Sequence, residues 1–284
     1  MSYKASTSYK SFLKSKYRSI KYSTYFEIYD HIFNNYKNKK IKFVEIGVFD
    51  GGSLFMWRDF LGNQAEIVGI DLNPEAKKWE NYGFKIFIGD QSDPIFLKSI
   101  FDKLGKIDIL LDDGGHTNAQ QIVTTNIALN YIRNGGLLVI EDCHTSYMKR
   151  YGNPSSFSFM SYAKKNIDDI NYRFFAKNNF NTIGYKRVFS VTFYNSIVVF
   201  SINDAKCNTS ILLDNKGITS DPKDFRYDKT LIGKISDFRL FLKIKAKKNK
   251  PIKICYLILK PILLYLINFL QKFSFLKLKY FFKK

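Results

Sequence analysis

The chain has 284 residues, 45% of them hydrophobic, with a formal net charge of +20 at pH 7. That apolar content suits one α/β domain with additions and excludes a disordered chain. Cys143, Cys207 and Cys255 are odd in number and form no CxxC pair, which argues against a disulfide framework or a thiolate metal site and for a reducing cytoplasm.

The charge is unevenly placed. Residues 240–284 hold twelve lysines and no acid, and residues 1–42 hold ten Lys/Arg against Glu27 and Asp30, so the middle of the chain is neutral. The start, MSYKASTSYK, is polar and lacks the apolar core of a signal peptide.

Tyr25, Ile28, Ile32 and Tyr36 recur at helical spacing and predict a helix over 8–38, packed on a sheet or, through Tyr22 and Tyr25, roofing a site. A strand from Ile41 then enters a glycine turn, and a helix follows over Ser53–Leu61. Gly47 and Gly51 in that turn let a ligand approach the backbone closely, but the G-x-G-x-x-G of dinucleotide folds is absent. A nicotinamide enzyme is thereby disfavoured. The strand Glu66–Ile70 ends at Asp71, a position suited to accepting ribose hydroxyls. The strand Lys85–Ile88 runs into Asp90 and Gln91, a polar pair fit to meet an adenine, with Asp90 equally suited to capping the helix that starts near Pro94.

Residues 107–144 read as strand, acidic turn, helix, glycine stop, strand and second acidic turn. Asn118 and Gln121 resemble a capping box, and Gly135-Gly136 a helix stop. The apolar runs Ile109–Leu111 and Leu137–Ile140 lack polar alternation, as strands covered on both faces do. If they are neighbours, Asp113, Glu141 and Asp142 converge at the carboxyl edge of the sheet, where ligands gather. Clustered carboxylates need a cation, and an all-oxygen set favours Mg²⁺ over zinc. His116 is placed to take a proton there. The competing reading has these carboxylates capping helices or pairing with Lys149 and Arg150.

Tyr151–Ser158 reads as a loop over the strand ends, a candidate lid, and Arg187–Thr192 with Ile197–Ser201 as an antiparallel hairpin. Cys207–Asp228 is polar and turn-rich. The tail from Leu240 mixes lysines with Leu, Ile, Phe and Tyr. Its apolar run is interrupted by Lys253, Lys260 and Pro261, which predicts a helix lying in a membrane interface over one that spans it. Lysines accompanying aliphatic residues predict no nucleic-acid partner.

Taken together, VEIGVFDGGS, GIDLN, IGDQSD, LLDDGGH and VIEDCH resemble the class I S-adenosylmethionine-dependent methyltransferases. More narrowly, they resemble the metal-dependent sugar O-methyltransferases that decorate macrolide and aminocoumarin deoxysugars, and relatives in surface-polysaccharide clusters. The resemblance covers roughly residues 40–147 and implies a Rossmann-like, mostly parallel seven-stranded sheet closed by an antiparallel hairpin. By it Asp113, Glu141 and Asp142 are magnesium ligands and His116 is the general base. Glu45, Gly47, Ser53 and Asp71 contact the methionine and ribose parts of S-adenosylmethionine, with Asp90 and Gln91 near the adenine. Asp112 either faces the methionine ammonium or finishes its strand, and His144 is either a substrate contact or a surface residue.

The expected organisation is an N-terminal helical cap (1–40), a methyltransferase domain (41–239) and a basic amphipathic tail (240–284). The expected protein is cytoplasmic and peripheral on the inner face of the cell membrane. It takes a glycan or nucleotide-sugar acceptor, contacts anionic lipid through the tail and is compatible with a homo-oligomer. The alternatives are a metal-independent methyltransferase on an amine or phosphoryl-linked group, and a non-catalytic membrane-bound scaffold.

Overall fold

The computed structural model describes residues 3–151, 156–175, 183–207, 211–218 and 227–282. They fall into two compact units, Met1–Ile211 and Leu212–Lys284. In the first unit α1 (Thr7–Lys14) and α2 (Tyr25–Phe33) precede β1 (Lys42–Ile46), α3 (Gly52–Leu61), β2 (Glu66–Asp71) and β3 (Lys85–Ile88). Then come α4 (Pro94–Leu104), β4 (Ile107–Asp112), α5 (Asn118–Ala128), β5 (Ile132–Ile140), α6 (Phe159–Asn171), α7 (Ile183–Arg187), β6 (Val188–Phe193) and β7 (Val198–Ile202).

The sheet order is β3-β2-β1-β4-β5-β7-β6. The first five strands are parallel, and β7 and β6 run antiparallel at one edge. This is the mostly parallel, hairpin-closed sheet that the motifs imply. Successive side chains of a strand point to opposite faces, and here both faces are apolar. Phe43, Ile109, Leu111 and Val139 pack with Tyr29, Phe33 and Trp57 on one side. Val44, Leu110, Leu138 and Ile140 pack with Leu97, Phe101 and Phe159 on the other. Such double coverage explains the unbroken apolar runs of β4 and β5.

Three local readings of the sequence are corrected. The helix predicted over 8–38 is two helices, because the chain leaves helical geometry at Ser15 (ψ 126°) and residues 15–24, with their serines, form bends and a turn before α2. Asp30 then joins the two helices, its carboxylate accepting the Thr7 and Ser8 N–H groups at the start of α1 (2.6 and 2.9 Å). The capping box of α5 lies one residue earlier, at Thr117 and Gln120. Gly135 and Gly136 end no helix: they lie inside β5, where the pairing jumps from Ile107↔Ile132 to Ile109↔Leu137, and the left-handed Gly135 (φ 81°) sits in that irregularity.

The 1–40 segment packs in the same compact unit as the sheet. In the second unit α8 (Leu231–Ala246) runs across the expected boundary at 239/240, so the compositional change at Leu240 falls within a helix. Helix α9 (Lys250–Phe282) packs with α8 and continues through Pro261, so the lysines and proline that interrupt its apolar run do not interrupt the helix. Its segment Lys250–Phe273 is long and apolar enough, by length and composition, to cross a membrane. Residues 211–218 are without helix or strand, while the tip of the candidate lid, 152–155, lies outside the described residues.

Candidate active site

Strand register brings the acidic turns together. Asp112 pairs with Ile46 on one side and Ile140 on the other, the Asp113 N–H donates to the Ile46 carbonyl (2.9 Å), and the Glu141 N–H donates to the Asp112 carbonyl (2.9 Å). A Cβ on Gly47, which has φ 91°, would collide with the Asp113 carbonyl, so only glycine lets the β1 turn pass this close. A cleft of about 710 Å³ opens over these strand ends. Its lining includes Gly47, Ser53, Asp71, Asp90, Gln91, Asp113, His116, Glu141 and Asp142.

One oxygen each of Asp113 and Asp142 and a ring nitrogen of His116 lie within 4.8 Å of one another. His116 Nε2 is 3.4 Å from Asp142 Oδ2 and 4.0 Å from Asp113 Oδ1, and each of the three side chains is about a fifth exposed. His116 and Asp142 both hold left-handed backbone angles (φ 58° and 54°), a conformation costly for non-glycine residues and concentrated at functional sites. The spacing and the hard oxygen donors suit a hydrated divalent cation.

Glu141 sits deeper and is fully buried. Its Oε1 accepts the Tyr29 hydroxyl (2.6 Å), and its Oε2 accepts Lys21 Nζ (3.0 Å). Lys21 Nζ also donates to Asp113 Oδ2 (2.6 Å), so the Asp113 and Glu141 carboxyl groups share one cationic partner. Tyr25 donates to Asp142 Oδ1 (2.5 Å) and bonds Ser196 Oγ (2.9 Å). Burial alone would lower the Lys21 pKa, but Asp113, Glu141 and Glu45 raise it above the ordinary lysine value, so it stays an ammonium. Burial pushes the Glu141 carboxyl and the Tyr29 hydroxyl up; for Glu141 the neighbouring Lys21 pulls the other way.

Lys21 and Tyr29 were missed in the sequence, and Tyr25 was read only as a roof. The available signal was their spacing of four, Lys21, Tyr25, Tyr29. It was hidden because Lys21 is one of many lysines near the amino terminus and precedes the helix that carries the two tyrosines. His144 Nδ1 lies 2.5 Å from Ser196 Oγ, which places it beside the Tyr25–Asp142 contact.

The residues expected at the cofactor divide into two groups. Ser53, Asp71, Asp90, Gln91 and Gly47 line the cleft, whereas Glu45, Gly51 and Asp112 are not among its lining residues. Glu45 is buried, accepting the Ser53 hydroxyl (2.7 Å) and Trp57 Nε1 (3.0 Å), and burial pushes its carboxyl up to about 7. Gly51 packs on the Trp79 ring as the left-handed residue before α3. Asp112 Oδ1 accepts from Gln91 Nε2 (2.9 Å) and the Gly114 N–H (3.2 Å), and burial raises its pKa.

Gln91 is also committed internally, since its Oε1 accepts the Gly115 N–H (2.8 Å) and so ties the β3 and β4 turns together. Asp71 Oδ2 accepts the Val48 and Phe49 N–H groups (2.7 and 3.1 Å), and its Oδ1 accepts the Asn73 N–H (2.8 Å). Asp90 accepts the Ser92 N–H (2.7 Å), while the helix cap given to it as an alternative belongs to Asp93.

Comparison with known proteins bears on the fold that carries this cleft. Residues 44–143 match the family model described as a methyltransferase domain. Mycinamicin VI 2''-O-methyltransferase of Micromonospora griseorubida is 35% identical over 131 residues, 44% of this chain and 32% of that protein. The 8-demethyl-8-alpha-L-rhamnosyl tetracenomycin-C 2'-O-methyltransferase of Streptomyces olivaceus is 34% identical over 131 residues, 44% of this chain and 34% of its own. Among solved structures, MycE methyltransferase from the mycinamycin biosynthetic pathway, in complex with Mg, SAH and mycinamycin VI, aligns with a TM-score of 0.62 and 26% identity. That alignment covers 78% of this chain and 57% of that one. The chain thus matches about a third of the length of these two relatives and somewhat over half of the solved one. Within those bounds residues 44–143 are similar to a methyltransferase domain, and the chain resembles the sugar O-methyltransferases of the mycinamicin and rhamnosyl-tetracenomycin type.

Proposed function

We propose that the chain is an S-adenosylmethionine- and Mg²⁺-dependent O-methyltransferase that acts on a sugar hydroxyl of a surface polysaccharide or its activated precursor. The observation that carries this reading is the convergence of Asp113, His116 and Asp142 within 4.8 Å in the cleft. Asp113 and Asp142 would hold the ion, and Gly47, Ser53 and Asp71 would border S-adenosylmethionine. Bound there, Mg²⁺ would polarise the acceptor hydroxyl and make it more acidic. His116 Nε2 takes the hydroxyl proton, and Asp142 and Asp113 beside it stabilise the imidazolium, an effect of about 10²–10⁴-fold for such a base. The cleft walls align acceptor oxygen and methyl donor, and much of the acceleration comes from that alignment.

Support for a carbohydrate acceptor comes from the relatives, which are named for 2''-O-methylation of mycinamicin VI and 2'-O-methylation of a rhamnosyl tetracenomycin. We propose further that the basic tail attaches the protein to anionic lipid at the inner face of the membrane. The lysine-free stretch between Lys260 and Lys272 is eleven residues, about 16 Å of helix against a ~30 Å hydrocarbon core, which favours lying in the interface over crossing. Alkaline carbonate should then release the protein from vesicles, and retention would mean a spanning helix.

The test of the enzyme is transfer of labelled methyl from S-adenosylmethionine to candidate glycans with and without Mg²⁺. Transfer that stops in EDTA and returns with Mg²⁺ is the expected result. Undiminished transfer in EDTA would point to the metal-independent reading, and failure to bind S-adenosylmethionine in calorimetry to a scaffold.

A further inference from the structure

We propose that the cleft extends into a subsite for the diphosphate of an activated sugar, formed by Lys16, Arg18, Lys78 and the indole N–H of Trp79. This rests on the sugar O-methyltransferase reading above and narrows it, because it selects the activated precursor over the finished polysaccharide as acceptor.

Beside the cleft lies a second, more open hollow of about 540 Å³. Lys16 and Arg18 reach it from the segment between α1 and α2, and Lys78 and Trp79 from the 3₁₀-helical segment Pro74–Tyr82. Asp50 is the one acid in the lining, so three cations against one carboxylate leave a net charge of +2. Among the described residues none of the three cations makes an ion pair. Each lies instead over an aromatic ring, Lys16 over Tyr17 (5.8 Å), Arg18 over Phe49 (5.5 Å) and Lys78 over Trp79 (5.0 Å). Rings hold a cationic head without neutralising it.

Trp79 gives an independent sign. It is 3% exposed, and its Nε1 has no hydrogen-bond partner, which costs stability unless a ligand supplies the acceptor. Its ring is fixed in place by Tyr17 (ring centres 4.5 Å apart) and by Gly51, where any Cβ would collide with it. A buried donor without an acceptor and three unneutralised cations call for an anion with many oxygens.

S-adenosylmethionine has no phosphate and a single carboxylate, too little to engage three cations. A diphosphate carries at least two negative charges, and its oxygens accept from lysine and, in bidentate fashion, from arginine. The hollow is also continuous with the cleft, because Arg18 and Asp50 line both. Arg18 is three residues from Lys21, which reaches Asp113 at the acidic turns, a step of at most about 11 Å along an extended chain. A ligand with its sugar at those turns therefore needs to cross only the Arg18 stretch to place its phosphates in the hollow.

The test is calorimetric binding to the full chain in EDTA, which keeps divalent ions out of the readout, with inorganic pyrophosphate and uridine diphosphate as probes. Both should bind the unmodified chain. The double variant Lys16→Glu with Lys78→Glu should weaken both by about 10-fold or more, while Lys78→Arg alone keeps them and S-adenosylhomocysteine binds all three proteins equally. Uridine diphosphate binding tighter than pyrophosphate would support a nucleotide-linked sugar, and equal affinities a lipid-linked one. Pyrophosphate affinity unchanged in the double variant would place the anion on other lysines and overturn the proposal. A parallel loss of S-adenosylhomocysteine would assign the cluster to the cofactor and overturn it as well. No methyl transfer to any sugar, with pyrophosphate binding still lost in the double variant, would defeat the enzyme reading and leave the anion site standing.

Discussion

The two halves of the cleft use the same residue type in opposite ways. At the β1 and β2 ends, Glu45 and Asp71 spend their oxygens on their own scaffold: Glu45 on Ser53 and Trp57, Asp71 on the Val48, Phe49 and Asn73 N–H groups. At the β4 and β5 ends, Asp113 and Asp142 each keep one oxygen turned towards His116 at the cleft surface. A carboxylate at a strand end is therefore informative only once its hydrogen-bond partners are known. Those satisfied by nearby N–H and O–H groups shape the turn, and those left with a free face are available for chemistry.

Four substitutions sharpen or break that contrast. The largest effect is expected from Asp113→Ala, which should reduce methyl transfer by more than ~10³-fold and abolish Mn²⁺ binding without unfolding the chain. Measurable turnover near that of the unmodified chain would place the chemistry elsewhere. His116→Gln should lower kcat by about 10²–10⁴-fold while Mn²⁺ binding persists, because a base is lost and the ion-facing aspartates are kept.

Glu45→Gln belongs to the scaffold half and should register in stability against pH. The folded Glu45 carboxyl titrates at about 7 against an ordinary 4.5, so the folded state holds this proton more tightly than the unfolded chain. Its contribution is complete below about pH 4.5 and is lost as pH rises through about 7. Relative to Glu45→Gln, the unmodified chain should lose about 3 kcal/mol across that window and nothing further above it. A stability difference independent of pH between 4.5 and 7 would contradict the buried-carboxyl assignment.

The smallest effect is expected from Asp71→Asn, which keeps an acceptor but weakens its charge-assisted bonds to the turn N–H groups by about 1 kcal/mol. It should raise the KM for S-adenosylmethionine several-fold and leave kcat nearly unchanged. A fall in kcat with KM unmoved would instead assign Asp71 to the chemistry.

Much of this architecture was legible in the sequence. The apolar runs of β4 and β5 and the acidic pairs that end them locate the site, because strands buried on both faces carry a pattern that neighbours cannot disguise. The parts that were not legible depend on contacts distant in sequence. Lys21 meets Glu141 across 120 positions, and its spacing of four to Tyr25 and Tyr29 gains meaning only once that distant partner is known. Gly135 and Gly136 carry the same composition in a strand irregularity as in a helix stop, and only the partner strand decides between them. Pro261 reads as a break, yet α9 continues through it.

The most direct measurement of the central claim is a Mn²⁺ titration of the purified chain, followed by electron paramagnetic resonance, beside the Asp142→Ala variant. The account predicts one bound ion per chain in the unmodified protein and none in the variant. Equal binding in both, or none in either, would contradict it.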